Sequence, residues 1–380
     1  MEVVLFRWLA GSIGRFMVKS WSNEESKAGT GRSVGQMRKF LAVFFVMCIL
    51  LSASSAYAAK TIKLSHLNPQ QPFDVATAAM SAVFKSMVEA QSNGELLVEI
   101  YPAGQLGNER ETMEQVKAGV VQSYIASAGG MASFYPLYSV LDVPFAIPSY
   151  NVAWKVFDGP FGEYLASDIE KKTGFKVLGY GEAGGFFQIT NSKRPIKTVE
   201  DMKGLKIRTM TLPSHQNLMK AYGAGATPVA WAEVYTALQT GVVDGQHNPI
   251  PIILTGKLFE VQKYLTLTNH LYSTYCWVMN KDFYEGLNEE ERFIVDEAAK
   301  TAIVAGRGLN RIIEASDKGL PALSEAGMEI HTPTPEALEE FREVGRKSAM
   351  EFLKGEYGEE GVELAEKYLE AIEKAMEEKD

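Results

Sequence analysis

The stretch that decides the fold is "ALQTGVVDGQHNPIPII", Ala237 to Ile253. A short helical run closes on Gly241, "VVDGQH" reads as a strand, and Asp244, Gln246, His247 and Asn248 then crowd hydrogen-bonding side chains into its end. Pro249 and Pro251 follow, and both oppose continuation as a helix, because proline lacks the backbone N–H and its ring crowds the preceding turn. Two readings fit. One is a solvated turn; the other is a strand ending at a ligand cleft, where open α/β sheets place their ligands.

The surrounding chain favours such a sheet. "TIKLS" at Thr61–Ser65 alternates as a strand does, a helix rich in Ala and Met runs on to Gly94, and "ELLVEIYP" is strand again. Asn108 and Glu111 have the spacing of a capping box ahead of a helix that Gly119 closes. "FKVLGY", "FFQIT", "GLKIRTM" and "TYCWVMN" read as further strands, with a two-piece helix around Gly159–Pro160. Asn288 and Glu291 form a second box at the head of a helix of about 30 residues, long against the usual ~11–12. The C-terminal part reads as two amphipathic, charged helices whose apolar stripe serves packing. Alternating strands and helices imply an α/β fold.

The N-terminus bears on the compartment. Met37-Arg38-Lys39 is basic, "FLAVFFVMCILLS" at 40–52 is apolar, and Ala56-Tyr57-Ala58 supplies small residues around a cleavage point. That order is a secretory signal peptide over 37–58, too short to span a bilayer comfortably. Nothing in such a signal requires residues 1–36, which read as a non-native upstream extension. Residues 1–59 carry seven basic and three acidic residues, so their removal takes the formal charge from −9 to −13. A surface of that sign is a poor partner for nucleic acid. Cys276 is the one cysteine left after cleavage, so no internal disulfide can form, as fits a bacterial periplasm. A mature chain of about 320 residues implies two domains.

Catalytic and cofactor motifs are absent or incomplete. "GYGEAG" at 179–184 matches G-x-G-x-x-G, but "GFFQITNSKRP" follows where a dinucleotide fold requires a helix. No pair among His66, His215, His247, His270 and His331 stands at i, i+4, and no zinc spacing or G-x-S-x-G elbow occurs. No cofactor or metal is expected. Arg208 is the informative charge, a cation among apolar neighbours in "GLKIRTM". Arginine is rarely buried without a partner; that partner is either an internal acid or a bound carboxylate held by both prongs of the guanidinium. Two charge-assisted hydrogen bonds supply roughly 3–6 kcal/mol, and micromolar binding needs about 8. Asn248 at its strand end, Gln188 within "FFQIT" and Trp231 at a helix start are the candidates for the remainder.

These residues sit in motifs that resemble a known family. "YPAGQLG" before a capped helix, "DMKGLKIR", "EVYTALQTGVVDGQHNP" and "FEVQKYLTLTNH" occur in this order, and together they resemble the periplasmic solute-binding subunit of TRAP transporters, the C4-dicarboxylate-binding-protein-like family. The likeness runs from about Thr61 to about Pro335. It implies a two-lobed periplasmic binding protein fold with a ligand cleft between the lobes and one long hinge-spanning helix, taken here as 60–185 plus 274–313 and 186–273 plus 314–380. It also implies a monomer, not an enzyme, that passes a small organic acid to a sodium-coupled membrane permease. The family's carboxylate-clamping arginine falls on Arg208, its cleft asparagine on Asn248 and its aromatic wall on Trp231. Sialic-acid-binding members carry a second arginine where Gln188 stands and a glutamate where Ser127 stands, so the resemblance points instead to a C4-dicarboxylate or a related hydroxy or sulfonated acid. His66 and Tyr275 fall in the same cleft region. A binding protein of an ATP-driven importer, or a secreted α/β enzyme, are the alternatives. N-terminal sequencing of the exported protein should begin at or next to Ala59; retention of residues 37–58 would contradict the signal peptide.

Overall fold

Residues 59–378 are described by a computed structural model; the expected upstream extension and signal peptide lie outside the described residues. Among the described residues ten strands carry the architecture: β1 (Lys60–Ser65), β2 (Leu96–Tyr101), β3 (Ser123–Ser127), β4 (Phe175–Asn191), β5 (Lys206–Thr209), β6 (Gly225–Pro228), β7 (Gly245–Pro249), β8 (Tyr264–Thr266), β9 (Tyr272–Asn280) and β10 (Glu329–His331). Twelve helices accompany them: α1 (Ala76–Gln91), α2 (Glu109–Lys117), α3 (Ala128–Ala132), α4 (Tyr150–Asp158), α5 (Pro160–Thr173), α6 (Pro213–Ala221), α7 (Val234–Gln239), α8 (Ile250–Thr255), α9 (Lys281–Glu285), α10 (Glu289–Ala315), α11 (Leu320–Glu325) and α12 (Pro335–Glu377). The strand order is β2-β1-β3-β9-β4-β7-β5-β6, with β8 pairing β4 and β10 pairing β8. Parallel pairs β1–β2, β1–β3, β5–β6 and β5–β7 flank the antiparallel pairs that β4 and β9 make at the centre.

One strand joins the two halves. The sequence reads "FKVLGY" and "FFQIT" as separate strands, but β4 runs unbroken for 17 residues. Its partner is β9 as far as Phe186↔Tyr272, and from Phe187↔Pro249 onward it is β7. The nucleotide-like glycines lie inside this strand, where register shifts fall at Val177/Gly179 and Glu182/Gly185. Gly184 and Gly185 have φ of 91° and 93°, angles that side chains resist, so glycine lets the strand bulge as it passes from one half to the other. Glu182 is buried at this crossing and accepts hydrogen bonds from the Tyr272 hydroxyl at 2.9 Å and Arg311 Nη2 at 2.6 Å. The Arg311 guanidinium lies 3.2 Å over the Tyr150 ring. Helix α10 therefore braces the crossing; it packs along α1 and β4 and reaches α8. It has 27 residues and opens on the Asn288–Glu291 capping box.

Each half has its own core. Phe84 of α1 meets Trp277 of β9 with ring centroids 5.0 Å apart, and Ala298, Ala299 and Ala302 of α10 close over them. The opposite face of the same sheet gathers Tyr124, Phe157, Phe161 and Cys276 with Leu353, Leu364 and Tyr368. So α12, from Leu353 on, buries its side chains beside α4 and α5, although the sequence groups 314–380 with the second half. Its earlier residue Phe341 packs with Leu218, Met219 and Tyr222 of the second half. The two C-terminal helices read from the sequence are the two parts of α12, which breaks at Gly358 (φ 61°).

Both prolines of the opening stretch start a helix instead of preventing one. Pro249 caps α8 and Pro251 stands in its first turn, where proline's missing N–H would find no intrahelical acceptor in any case. Upstream, the Asp244 carboxylate accepts from the Lys206 amide at 2.9 Å and the Asp244 amide donates to the Lys206 carbonyl at 2.7 Å. Gly245 permits the strands to close, since a Cβ there would lie 2.2 Å from the Thr190 carbonyl oxygen. Gly245→Ala should destabilise by about 1–3 kcal/mol through overpacking, read as a lowered urea midpoint; an unchanged midpoint would contradict this close approach.

Candidate functional site

A cavity of about 780 Å³ lies between the halves. Its lining comes from the ends of elements on both: Ser127 closes β3 and caps α3, Tyr275 lies on β9, Arg208 on β5, Asn248 on β7, and Trp231 opens the short 3-10 turn before α7. The structure thus gathers five of the seven sequence candidates into one chamber. His66 and Gln188 are outside its lining. His66 is fully buried and bonds Gln70 Oε1 at 2.9 Å instead. Gln188 stands opposite Asn248 in the β4–β7 pairing, but its amide donates to Asn269 Oδ1 at 2.6 Å and its oxygen accepts from the Asn269 amide at 3.2 Å. Both ends of that side chain are occupied.

Arg208 is 2% exposed. Its Nε and Nη2 both donate to the Val229 carbonyl, at 3.0 and 2.7 Å. That contact takes the side edge of the guanidinium and leaves the Nη1–Nη2 end as the fork available to a carboxylate. Among the described residues it forms no ion pair, so the internal-acid alternative is not realised. Burial pulls its pKa down to about 10, a fall that the charge of Glu109 partly opposes. It stays a cation at neutral pH, held in place and under-neutralised.

The asparagine is aimed by a relay. Asn248 Nδ2 donates to Gln246 Oε1, Gln246 Nε2 donates to Thr190 Oγ1 at 2.8 Å, and Thr190 Oγ1 donates to Gln262 Oε1 at 2.9 Å. The polar cluster of the opening stretch is therefore divided, with Asn248 at the cavity and Gln246 behind it. Trp231 is half-buried and approached closely by the backbone of Gly256, where a Cβ would lie 2.8 Å from the indole edge. Tyr275 accepts a hydrogen bond from Asn68 Nδ2 at 3.0 Å.

Glu109, like Asn68, is a lining residue absent from the sequence candidates. It is the first residue of α2, within the acidic first turn that a capping box favours. The Ser127 amide donates to Oε1 at 2.8 Å and the Ser127 hydroxyl to Oε2 at 2.5 Å. Burial raises its pKa and these hydrogen bonds work against the rise. The capping pattern was legible beforehand; the inward turn of its neighbouring acid was not.

Behind Arg208 lie three buried histidines. His247 Nδ1 and His270 Nε2 are 3.1 Å apart, His270 Nδ1 and Thr268 Oγ1 are 2.7 Å apart, and the His215 ring centroid is 4.7 Å from that of His247. Burial depresses His270 to about 3, and burial, reinforced by the flanking imidazoles and Arg208, lowers His247. Cys276 is buried, and its thiol pKa is pushed well up by that burial. Among the described residues no group of three or more His, Cys, Asp or Glu is arranged to hold a metal ion, and no helix is long and apolar enough to cross a membrane.

Comparison with known proteins gives concordant matches. Residues 67–355 match the family model described as bacterial extracellular solute-binding protein, family 7. The 2,3-diketo-L-gulonate-binding periplasmic protein of Escherichia coli is 33% identical over 78% of this chain and 88% of its own length. The C4-dicarboxylate-binding periplasmic protein of Rhodobacter capsulatus is also 33% identical, with the same coverage of 78% and 88%. A solved structure of the sugar acid binding protein of Advenella mimigardefordensis, in complex with galactonate, aligns with a TM-score of 0.77 at 32% identity, covering 83% of this chain and 99% of that one.

The buried histidines generate a pH prediction. The folded state keeps His270 and His66 neutral, with pKa values of about 3 and about 4, while the unfolded chain takes up protons below about 6.5. Stability is unaffected by these groups above that value and falls as pH drops through it, by about 1.4 kcal/mol per pH unit for each histidine. His270→Asn should make the decline of urea stability between pH 6.5 and 4.5 shallower by about that slope; an identical decline would contradict the buried neutral state.

Proposed function

The chain belongs to the bacterial extracellular solute-binding proteins of family 7, and from that premise we propose that it captures a small organic acid in the periplasm and delivers it to a sodium-coupled TRAP permease. It acts as a monomer, after signal-peptide cleavage near Ala58, and makes or breaks no covalent bond in its ligand. The observation that carries this reading is Arg208: a buried guanidinium with one edge fixed on a backbone carbonyl and the other left to the cavity.

In this role the ligand carboxylate takes the place an internal acid would otherwise fill. The Nη1–Nη2 end of Arg208 meets it with two charge-assisted hydrogen bonds, and the Asn248 amide adds a third contact from the neighbouring strand. Trp231 gives the ligand's carbon skeleton a flat apolar wall. Ser127 and Tyr275 belong to the first half of the molecule and Arg208 and Asn248 to the second, so a ligand touching both halves binds the closed arrangement more tightly than the open one. Closure then follows from that difference in affinity, with the bulged region of β4 as the point of bending.

The relatives' ligands agree with the chemistry: a diketogulonate-binding and a C4-dicarboxylate-binding protein by their names, and a galactonate complex among the solved structures. Arg208→Ala should weaken binding of any acid that the protein takes up by about 2–5 kcal/mol, measured by calorimetry, with the melting temperature of the unliganded variant close to that of the original chain. Unchanged affinity would overturn the anchor assignment.

A further inference from the structure

Arg208 accounts for a carboxylate but leaves Glu109 without a role. The Glu109 carboxylate is built into the first half as firmly as Arg208 is into the second. Ser127 contributes both its amide and its hydroxyl to it. The same hydroxyl accepts from the Gly130 amide at 3.2 Å, so its single hydrogen is directed to Glu109. All the donors thus address an acceptor, the arrangement of an ionised carboxylate. Gly130 makes room for it, since a Cβ there would lie 2.7 Å from Oε1. Among the described residues no cation pairs with Glu109, and the field of Arg208 reaches it without an ion pair. The other cation in the lining, Arg110, is largely exposed and paired with Glu114 at 3.2 Å.

The neighbouring groups repeat the same polarity. Asn68 uses its Nδ2 on Thr77 Oγ1 and the Tyr275 hydroxyl, at 3.1 and 3.0 Å, which leaves its oxygen to the cavity. Asn248 places one N–H of Nδ2 on Gln246, which leaves the other N–H for the ligand carboxylate and its oxygen as a further acceptor. The chamber therefore has one cationic end and several separated acceptors, one of them negatively charged. Hydroxyl groups spaced along a carbon chain satisfy such acceptors one by one. A second carboxylate would face Glu109 as a like charge in a confined site, and would leave Glu109 desolvated with no donor to replace its water.

We infer that the ligand is a hydroxylated monocarboxylate, an acid of the aldonate type, and that Glu109 rejects acids carrying a second carboxylate at the far end. This rests on the organic-acid reading above and narrows it. A protonated amine would satisfy Glu109 but meets one acceptor only, whereas the acceptors here are spread over Glu109, Asn68 and Asn248.

Matched pairs that differ only in oxidation of the terminal carbon test this. Calorimetry on the mature protein would compare erythronate with meso-tartrate and galactonate with galactarate, with succinate and the zwitterion homoserine alongside. In the pair that binds, the monocarboxylate should be at least ten-fold tighter than its dicarboxylate, and Glu109→Gln should shrink that ratio several-fold while raising affinity for the dicarboxylate. Succinate or an aldarate binding as tightly as the matching aldonate, homoserine outranking the hydroxy acids, or a ratio that Glu109→Gln leaves unaltered would each overturn the inference alone. The comparison on the unsubstituted protein stands even if the variant misfolds. Failure of every acid to bind would overturn the organic-acid function and this inference together.

Discussion

The structure depends on one buried charge kept from full neutralisation. Taking a guanidinium out of water is costly unless hydrogen bonds or an opposite charge compensate it. The Val229 carbonyl supplies two of those bonds to Arg208, and Glu109 supplies only distant attraction. A direct ion pair with Glu109 would have satisfied both groups and closed the site to an anion. The protein instead ties each charge to its own half: Arg208 to the carbonyl that follows β6, Glu109 to Ser127 at the end of β3. In the proposed binding role the pair serves a ligand because neither partner is available to the other.

The fold arranges this separation with little machinery. β4 belongs to both halves, and its glycine-rich middle changes hydrogen-bonding partner from β9 to β7 within one residue step. Glu182, Tyr272 and Arg311 hold the crossing in a defined place, while positive-φ glycines give it a conformation that other residues would resist. The same strand carries Phe187 into the cavity wall and sets β7 so that Asn248 emerges beside it. His247 and His270, kept neutral by burial, add no competing positive charge to the surroundings of Arg208.

Much of this was legible in the sequence because it depends on local rules. Both capping boxes appear where Asn and Glu stand three residues apart, and a lone arginine in an apolar strand stands out because burial of that charge demands a partner. The misreadings have the same physical origin. The sequence divides β4 into "FKVLGY" and "FFQIT", with glycines between them that usually interrupt strands, yet here bulges absorb the irregularity and the strand continues. Pro249 and Pro251 oppose a helix in its interior, but a helix tolerates proline in its first turn. Gln188 and His66 lie outside the cavity lining: Asn269 occupies both ends of Gln188 and Gln70 meets Nε2 of His66, and nothing local to "FFQIT" or "KLSH" indicates that. Glu109 went unnoticed because an acid at a helix start already has an explanation in the helix dipole, and its turn toward Ser127 is a long-range fact.

The most direct test is a crystal structure of the mature protein with the acid that raises its melting temperature most. The account predicts the ligand carboxylate within hydrogen-bonding distance of Arg208 Nη1 and Nη2, with Val229 still on the other edge and Asn248 beside it. A carboxylate bound elsewhere in the chamber, with Arg208 turned onto Glu109, would contradict it.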